Sequence, residues 1–375
     1  MTMKVIHLVR QYFPSIGGME DVVHNVTQYQ RSHGHDVSIV TLDRLFRNSP
    51  AKLERHETIH GVPVTRLPFS GSSRYALCPT VLSHIRDADI VHVHGIDFFF
   101  DYLAATRLIH GRALVASTHG GFFHTNFVSG IKRAYFNTIT RLSSLIYDRI
   151  IATSKNDGDI FGNILKPSRL TVIENGVNVR KYSDKAARAP TPVLIYFGRW
   201  SANKGLQETL DFFRRLVAKA PAWRLIVAGR EYDYDRNALA ALVERCGVSE
   251  KVRLAPNPSD EELASLIGEA SYFICLSRHE GFGIAPIEAM SAGLYPVLSD
   301  IPPFRALAEQ SGFGTILPGA LQNDNDINAL LNAHAVDNGK HVRRRADMQT
   351  FALRYDWQRV AERYVDVYES LARHT

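Results

Sequence analysis

Apolar runs of strand length alternate with amphipathic helical stretches twice over in this sequence, with one polar interruption between the two series. The first series has strand-like runs at 5–9, 37–41, 62–67, 90–94, 114–118, 150–153 and 170–173. Between the first two lies a stretch whose apolar residues, Met19, Val22, Val23, Val26 and Tyr29, recur at helical spacing. The polar, charged segment 178–189 breaks the pattern and is followed by Pro190 and Pro192. A second series then begins, with runs at 193–197, 224–228, 252–254, 272–276 and 295–298 and helical stretches at 206–218, 236–246 and 260–267. Strands and helices alternating at this spacing form parallel, doubly wound sheets, because each crossover helix returns the chain to the same sheet edge. The expected fold is therefore α/β, with two Rossmann-like domains at 1–180 and 190–355 facing each other across a cleft. A chain of 375 residues is too long for a single ordinary core, which fits that division. The region 343–368 reads as helical, with Trp357, Val360, Tyr364 and Val367 on one face. Residues 356–375 are expected to form a C-terminal helix able to pack back on the first domain.

Charge and cysteine use narrow the class. No apolar run reaches the roughly 18 to 20 residues that span a bilayer, and the opening residues hold too short an apolar core for a secretory signal. Cys78, Cys246 and Cys275 are far apart and lack metal-site spacing, as expected for a reducing cytoplasm. Residues 1–180 contain 20 Lys and Arg against 14 Asp and Glu, whereas the remainder has 24 of each. A basic half beside a neutral one suggests an anionic ligand or surface on the N-terminal side, although a solvated basic face has the same composition. A nucleic-acid partner is not expected.

Four stretches carry residues suited to chemistry. In the first, the run at 272–276 leads into Ser277-Arg278-His279-Glu280-Gly281-Phe282-Gly283-Ile284, and a helix follows with Pro286 near its first turn and Glu288 inside it. A strand, a glycine turn and a helix N-terminus form an anion site, because unpaired N–H groups and the helix dipole point outward there. A diphosphate site bracketed by Glu280 and Glu288 suggests a sugar nucleotide. The second stretch, Phe197-Gly198-Arg199 with Lys204-Gly205, places two cations at one strand end, where Arg can grip phosphate in a fork and Lys acts as a mobile point charge. Third, Gly17-Gly18 precede a helix and would let backbone N–H groups approach an anion, but a tight turn uses paired glycines equally. Fourth, His119 in Thr118-His119-Gly120-Gly121-Phe122-Phe123-His124 follows a strand, the end of an α/β sheet where ligands bind. It could bond a sugar hydroxyl or be a satisfied core histidine. His92 and His94 alternate along a strand and read as structural. Asp87-Ala88-Asp89, Asp157-Gly158-Asp159 and Asp233-Tyr234-Asp235 have D-x-D spacing, but the first two precede or lie within helical or strand-edge surface, where acids are ordinary. No metal and no cofactor are expected, since Arg199 and Lys204 already supply charge for a diphosphate.

Together these motifs, in this order, resemble the retaining glycosyltransferases of family four, which have the GT-B fold. Glu280 and Glu288 are separated by seven residues, the E-x7-E pattern of that family. The wording of 117–124, 198–201, 228–233 and 277–285 is similar to the bacterial mannosyltransferases of xanthan- and acetan-type exopolysaccharide assembly. The resemblance implies a GDP-mannose donor and addition of α-1,3-linked mannose to a cellobiose carried on diphospho-polyprenol. It also implies residue roles. Arg199, Lys204 and the backbone N–H groups of Phe282, Gly283 and Ile284 would hold the diphosphate. Glu288 would bind the ribose and Glu280 the donor hexose. His119 would contact that sugar near the reacting carbon, with Gly17 and Gly18 close by and Ser154 at the cleft. Arg230 and the segment 253–258 would line the base pocket, where Pro256 and Pro258 depart from the family pattern.

Retention leaves two routes. Glu280 could attack as a carboxylate nucleophile. The family resemblance implies instead front-face attack, in which a diphosphate oxygen takes the acceptor's proton and Glu280 positions the sugar. Other readings are a UDP-sugar transferase with a soluble or different lipid acceptor, a related epimerase, and a non-catalytic sugar-nucleotide-binding protein. Lys132, Arg133 and Arg141, set among Ile131, Tyr135, Phe136, Ile139, Leu142 and Leu145, read as a basic amphipathic helix. Such a helix can lie on an anionic membrane or simply face a core. The corresponding location is the inner face of the cytoplasmic membrane.

Overall fold

The computed structural model describes residues 2–15, 17–46, 52–73, 75–120, 135–318 and 324–372, apart from the side chain of Asp324. The chain forms two compact units: Met1–Gly176 together with Trp357–Thr375, and Val177–Asp356.

The first unit is built on an eight-stranded sheet. Its strands are β1 (Lys4–Val9), β2 (Asp36–Leu42), β3 (His56–Ile59) and β4 (Val62–Leu67), with a separate antiparallel pair, β5 (Ser70–Ser72) and β6 (Tyr75–Leu77), alongside. β7 (Ile90–His94), β8 (Ala113–Ser117), β9 (Arg149–Ala152) and β10 (Leu170–Val172) complete it, in the order β10-β9-β8-β7-β1-β2-β4-β3. All neighbours are parallel except β3, which runs antiparallel to β4. Parallel strands covered on both faces need no polar side, and every residue of β7 is buried. One face is covered by the Gly18–Ser32 helix through Val22 and Val26, and by the Trp357–Ala372 helix through Val360, Tyr364, Val367 and Tyr368. Phe99, Phe100, Leu103 and Tyr147 belong to the core on the opposite face. The strand order reverses between β1 and β7.

The second unit has six parallel strands: β11 (Val193–Trp200), β12 (Arg224–Glu231), β13 (Val252–Pro256), β14 (Tyr272–Cys275), β15 (Tyr295–Ser299) and β16 (Thr315–Leu317). Their order is β13-β12-β11-β14-β15-β16. This is the Rossmann order, with its reversal between β11 and β14. The 178–189 stretch, the polar interruption between the two series and the expected linker between domains, contributes Val179, Tyr182 and Ala186 to the core of this unit.

Three differences from the sequence reading have local causes. The helical region 343–368 is two helices, Asn338–Ala352 and Trp357–Ala372, broken at Leu353–Tyr355 and assigned to different units. β3 and β5 are too polar and exposed to show as apolar runs. β11 and β12 run past their apolar segments because Gly198 and Gly229 sit opposite each other in register. Gly229 has φ +156°, and a Cβ there would lie 1.7 Å from the Gly198 carbonyl oxygen. The extension carries Arg199 and Arg230, also opposite each other, out to the sheet end.

Candidate functional site

The second unit's site lies where its strand order reverses. After β11 the chain turns through Ser201 to Gly205, and the Lys204 N–H donates to the Ser201 carbonyl at 3.0 Å. Gly205 has φ +68°, and a Cβ there would lie 1.9 Å from the Leu276 carbonyl oxygen. Only glycine lets this turn rest on the end of β14. The Arg278 N–H donates to the Asn203 carbonyl at 2.8 Å, which ties the turn to the loop after β14. This docking brings together two residues far apart in sequence: the Lys204 Nζ is 2.7 Å from the Glu280 Oε1. The Ser277 hydroxyl donates to the same oxygen at 2.6 Å. The Lys204 and Glu280 side chains are only 17% and 15% exposed, so their charges are weakly screened. Nearby, burial and then the Glu280 charge push the Cys275 thiol up to about 11.

Gly283, at φ +98°, opens the Ile284–Ala292 helix with no side-chain cap. The first-turn N–H groups of this helix therefore have no side-chain partner of the kind that usually quenches them. The Phe282 ring packs edge-on against Tyr355, 5.6 Å between centroids, which anchors the loop. Glu288, half-buried on the helix, contributes to the raised pKa of Tyr182, whose main cause is burial. Arg199 and Arg230 are exposed, and the Arg199 guanidinium lies 5.4 Å from the Tyr232 ring centroid. Three cations, a bare helix start and two carboxylates thus gather at one end of this sheet. The arrangement can hold a diphosphate and, beside it, hydroxyls.

In the first unit, His119 follows β8, with φ +52°, and Gly120 follows at φ +64°. Asp157 holds this turn: one carboxylate oxygen accepts from the Thr118 hydroxyl at 2.5 Å and the Gly120 N–H at 3.0 Å. Asp157 is only 6% exposed. The surface reading of its D-x-D motif was therefore wrong for this residue, because its partner lies 39 positions away in sequence. Ser154 caps the Lys155–Gly162 helix by accepting from the Asp157 N–H at 3.1 Å. The His119 ring bonds inward to His94, Nε2 to Nδ1 at 2.9 Å, and burial pushes its pKa down to about 4. Residues 121–124 of that motif lie outside the described residues.

Gly17 is the N-cap of the Gly18–Ser32 helix, whose first turn carries Glu20 and Asp21. A Cβ on Gly17 would meet a Glu20 carboxylate oxygen at 2.7 Å, so a carboxylate already covers this helix start. The sequence reading also passed over Arg10 and Asp97, an ion pair of 2.9 Å joining the ends of β1 and β7, where this sheet reverses. Burial pushes the Asp97 carboxyl up to about 6 against the opposing pull of Arg10. Asp97 also caps the Phe98–Ala105 helix, and its place one residue beyond Gly95-Ile96 after an apolar strand was the available signal.

The family described as Glycosyltransferase Family 4 matches residues 16–181, and that described as Glycosyl transferases group 1 matches residues 180–347. The chain is 52% identical, over 98% of its length and 96% of the relative's, to the GDP-mannose:cellobiosyl-diphosphopolyprenol alpha-mannosyltransferase of Xanthomonas oryzae pv. oryzae. It is 42% identical, over 99% of its length and 94% of the relative's, to the enzyme of the same name from Komagataeibacter xylinus. A glycosyltransferase from Rickettsia africae has the same fold, with a TM-score of 0.75 over the whole of both chains at 15% identity. Matched in tandem across both Rossmann-like units and along its length by these enzymes, the chain belongs to the family 4 glycosyltransferases of GT-B fold.

Proposed function

We propose that the protein is a retaining α-mannosyltransferase that moves mannose from GDP-mannose to cellobiose on a polyprenyl diphosphate, through an α-1,3 link, in exopolysaccharide assembly. The observation that carries this reading is the Lys204–Glu280 pair beside an uncapped helix start at the sheet reversal, in a chain 52% identical to enzymes of that name. Arg199, Lys204 and the N–H groups of Phe282, Gly283 and Ile284 hold the diphosphate and stabilise the negative charge that grows as the sugar leaves. Glu280 accepts hydroxyls of the mannose, Glu288 the ribose, and Arg230 lines the base pocket. His119 is the first unit's contact to the donor sugar. Transfer proceeds by front-face attack: the acceptor oxygen bonds to the anomeric carbon as the bond to diphosphate breaks, and a diphosphate oxygen takes the acceptor's proton. Arg199 and Lys204 do the work a divalent metal does elsewhere, so activity should persist in chelator.

The acceptor's lipid calls for a membrane surface. Residues 131–134 of the expected amphipathic stretch lie outside the described residues, and the rest is helical, a π-helical segment at Phe136–Thr140 running into the Arg141–Ile146 α-helix. Phe136 and Ser143 face inward, while Ile139, Leu142, Leu145 and Ile146 are exposed among the described residues. Leu108 and Ile109, also exposed, follow Arg107. No described helix is long and apolar enough to cross a membrane. Exposed leucines beside arginines suit reversible contact with anionic lipid. Binding to anionic vesicles should weaken with added salt, and no binding at low salt would remove this part of the proposal.

The decisive experiment incubates the protein with radiolabelled GDP-mannose and extracted lipid-linked saccharide, followed by linkage analysis. UDP-glucose and UDP-N-acetylglucosamine serve as parallel donors. Label in an α-1,3-mannosyl lipid product is expected; transfer from a UDP-sugar alone would overturn the donor assignment.

A further inference from the structure

Polar groups that the proposed mechanism leaves unused gather beneath His119. His7 on β1 and His92 and His94 on β7 are each 0% exposed, and ligand atoms of the three lie within 4.8 Å of one another. Three histidines this close invite a metal assignment, but their ring nitrogens already have protein partners. His92 bonds the Tyr368 hydroxyl at 2.6 Å and the Ser117 hydroxyl at 2.8 Å. His7 bonds Gln30 at 2.8 Å and His94 at 2.9 Å, and the second nitrogen of His94 bonds His119 at 2.9 Å. The cluster is satisfied without an ion. What it forms is a line from Gln30 through His7 and His94 to His119.

A neutral imidazole donates from one nitrogen and accepts at the other. The sense of every bond in such a line therefore follows from the bond at its end. Gln30 turns its Oε1 toward the His7 Nε2, so that nitrogen carries the proton and the His7 Nδ1 accepts. The His94 Nε2–H then donates to the His7 Nδ1, and the His119 Nε2–H donates to the His94 Nδ1. His119 is left with a lone pair on Nδ1. An additional proton on the Nδ1 of His7 or His94 would set two N–H groups against each other inside the core, so the line fixes the tautomer of His119, and at its open Nδ1 burial opposes the charge. Burial, which lowers the pKa values of all four histidines, acts in the same direction.

We infer that Gln30, His7 and His94 are positioning residues for His119, locking it as the neutral Nε2–H tautomer so that its Nδ1 accepts a hydrogen bond from a hydroxyl of the donor hexose. The inference rests on the reading of His119 as the donor-sugar contact. It adds a chemical reason for burying histidines there. A neutral acceptor can orient a hydroxyl without opposing the positive charge that develops at the anomeric carbon, whereas an imidazolium would oppose it.

Full-length protein labelled with 15N-histidine, studied by NMR without substrate, reports the tautomer directly, with His119→Gln assigning the resonance. His119 should be neutral and Nε2–H at neutral pH, and should lose that preference in His94→Leu. Kinetics with GDP-mannose supply a second readout. His94→Leu should lower kcat roughly ten- to a hundredfold, the scale of a misplaced reacting group, with little change in KM. His94→Asn, whose Oδ1 can take the His119 proton, should recover most of it. If His94→Leu fails to fold, Gln30→Leu should give the same loss of tautomer from the far end of the line. A charged or Nδ1–H His119 in the wild-type protein, or equal impairment of the Leu and Asn variants, overturns the inference. Absence of transfer by the wild-type protein would instead indict the mannosyltransferase reading, and the NMR result would still decide the tautomer.

Discussion

The two units share a topology and place their functional groups at sheet ends near a strand-order reversal, yet they treat charge in opposite ways. The second unit carries cations outward on extended strands, with Arg199 and Arg230 exposed and Lys204 pinned to Glu280. The first unit turns polar groups inward, so that His119 is backed by neutral rings and held by the buried Asp157. The doubly wound fold therefore fixes where a site forms, and the loops and buried side chains set its charge. One unit suits a leaving diphosphate and the other an uncharged sugar.

Lys204→Ala and Glu280→Ala should break the charged side most severely. Each is expected to lower kcat/KM by about 10² to 10³, or about 2.7 to 4 kcal/mol, as for loss of a single preorganised group at a developing charge. Initial rates measured alongside thermal melts test this, and near-wild-type turnover of both folded variants would sink the assignment. Asp157→Ala should sharpen the contrast, since it frees the His119 turn without removing a charge from the second unit. Leaving the Thr118 hydroxyl and Gly120 N–H without their acceptor should cost about 1 to 3 kcal/mol of stability. Turnover should fall with KM for GDP-mannose nearly unchanged, whereas a rise confined to KM would point to donor binding instead.

Acid should separate the units more gently. His7 and His119 have pKa values of about 4 in the fold, and those of His92 and His94 are also depressed. The unfolded chain takes up these protons first. The stability they contribute is thus fully present above about pH 6.5 and is lost as pH falls toward 4, at up to about 1.4 kcal/mol per pH unit for each histidine. Asp97, pushed up to about 6, works the other way, because the folded state binds its proton first. Burial also depresses His24, His35 and His110 and raises Glu174, so seven histidines stand against two carboxyls and leave the first unit net acid-sensitive. Hydrogen exchange followed through this range should show protection lost around β1 and β7 before the strands of the second unit.

Much of the architecture was legible because buried parallel strands are continuous apolar runs, and β4 and β7 coincide with the runs at 62–67 and 90–94. Strand order was not legible, since it depends on which edges pair, and so the reversals that locate both sites emerged only from the fold. Lys204 and Glu280 could be named from the cationic turn and the E-x7-E spacing, but their contact spans 76 positions and depends on Gly205. Asp157 was hidden by its resemblance to surface acids. His94 reads from the sequence as structural and is buried, yet its bond to His119 crosses from one strand to the loop after the next, a relation that no local pattern encodes.

The chain passes from the first unit to the second after Gly176 and returns after Asp356, and Val177 and Asp356 form a β-bridge where the two passages meet. The second unit is thus an insertion with joined ends, and it holds no residue made after Asp356. On the ribosome its sequence is complete while the first unit still lacks Val360, Tyr364 and Tyr368, including the hydroxyl that bonds His92. Of the two units, the one begun earlier is finished later.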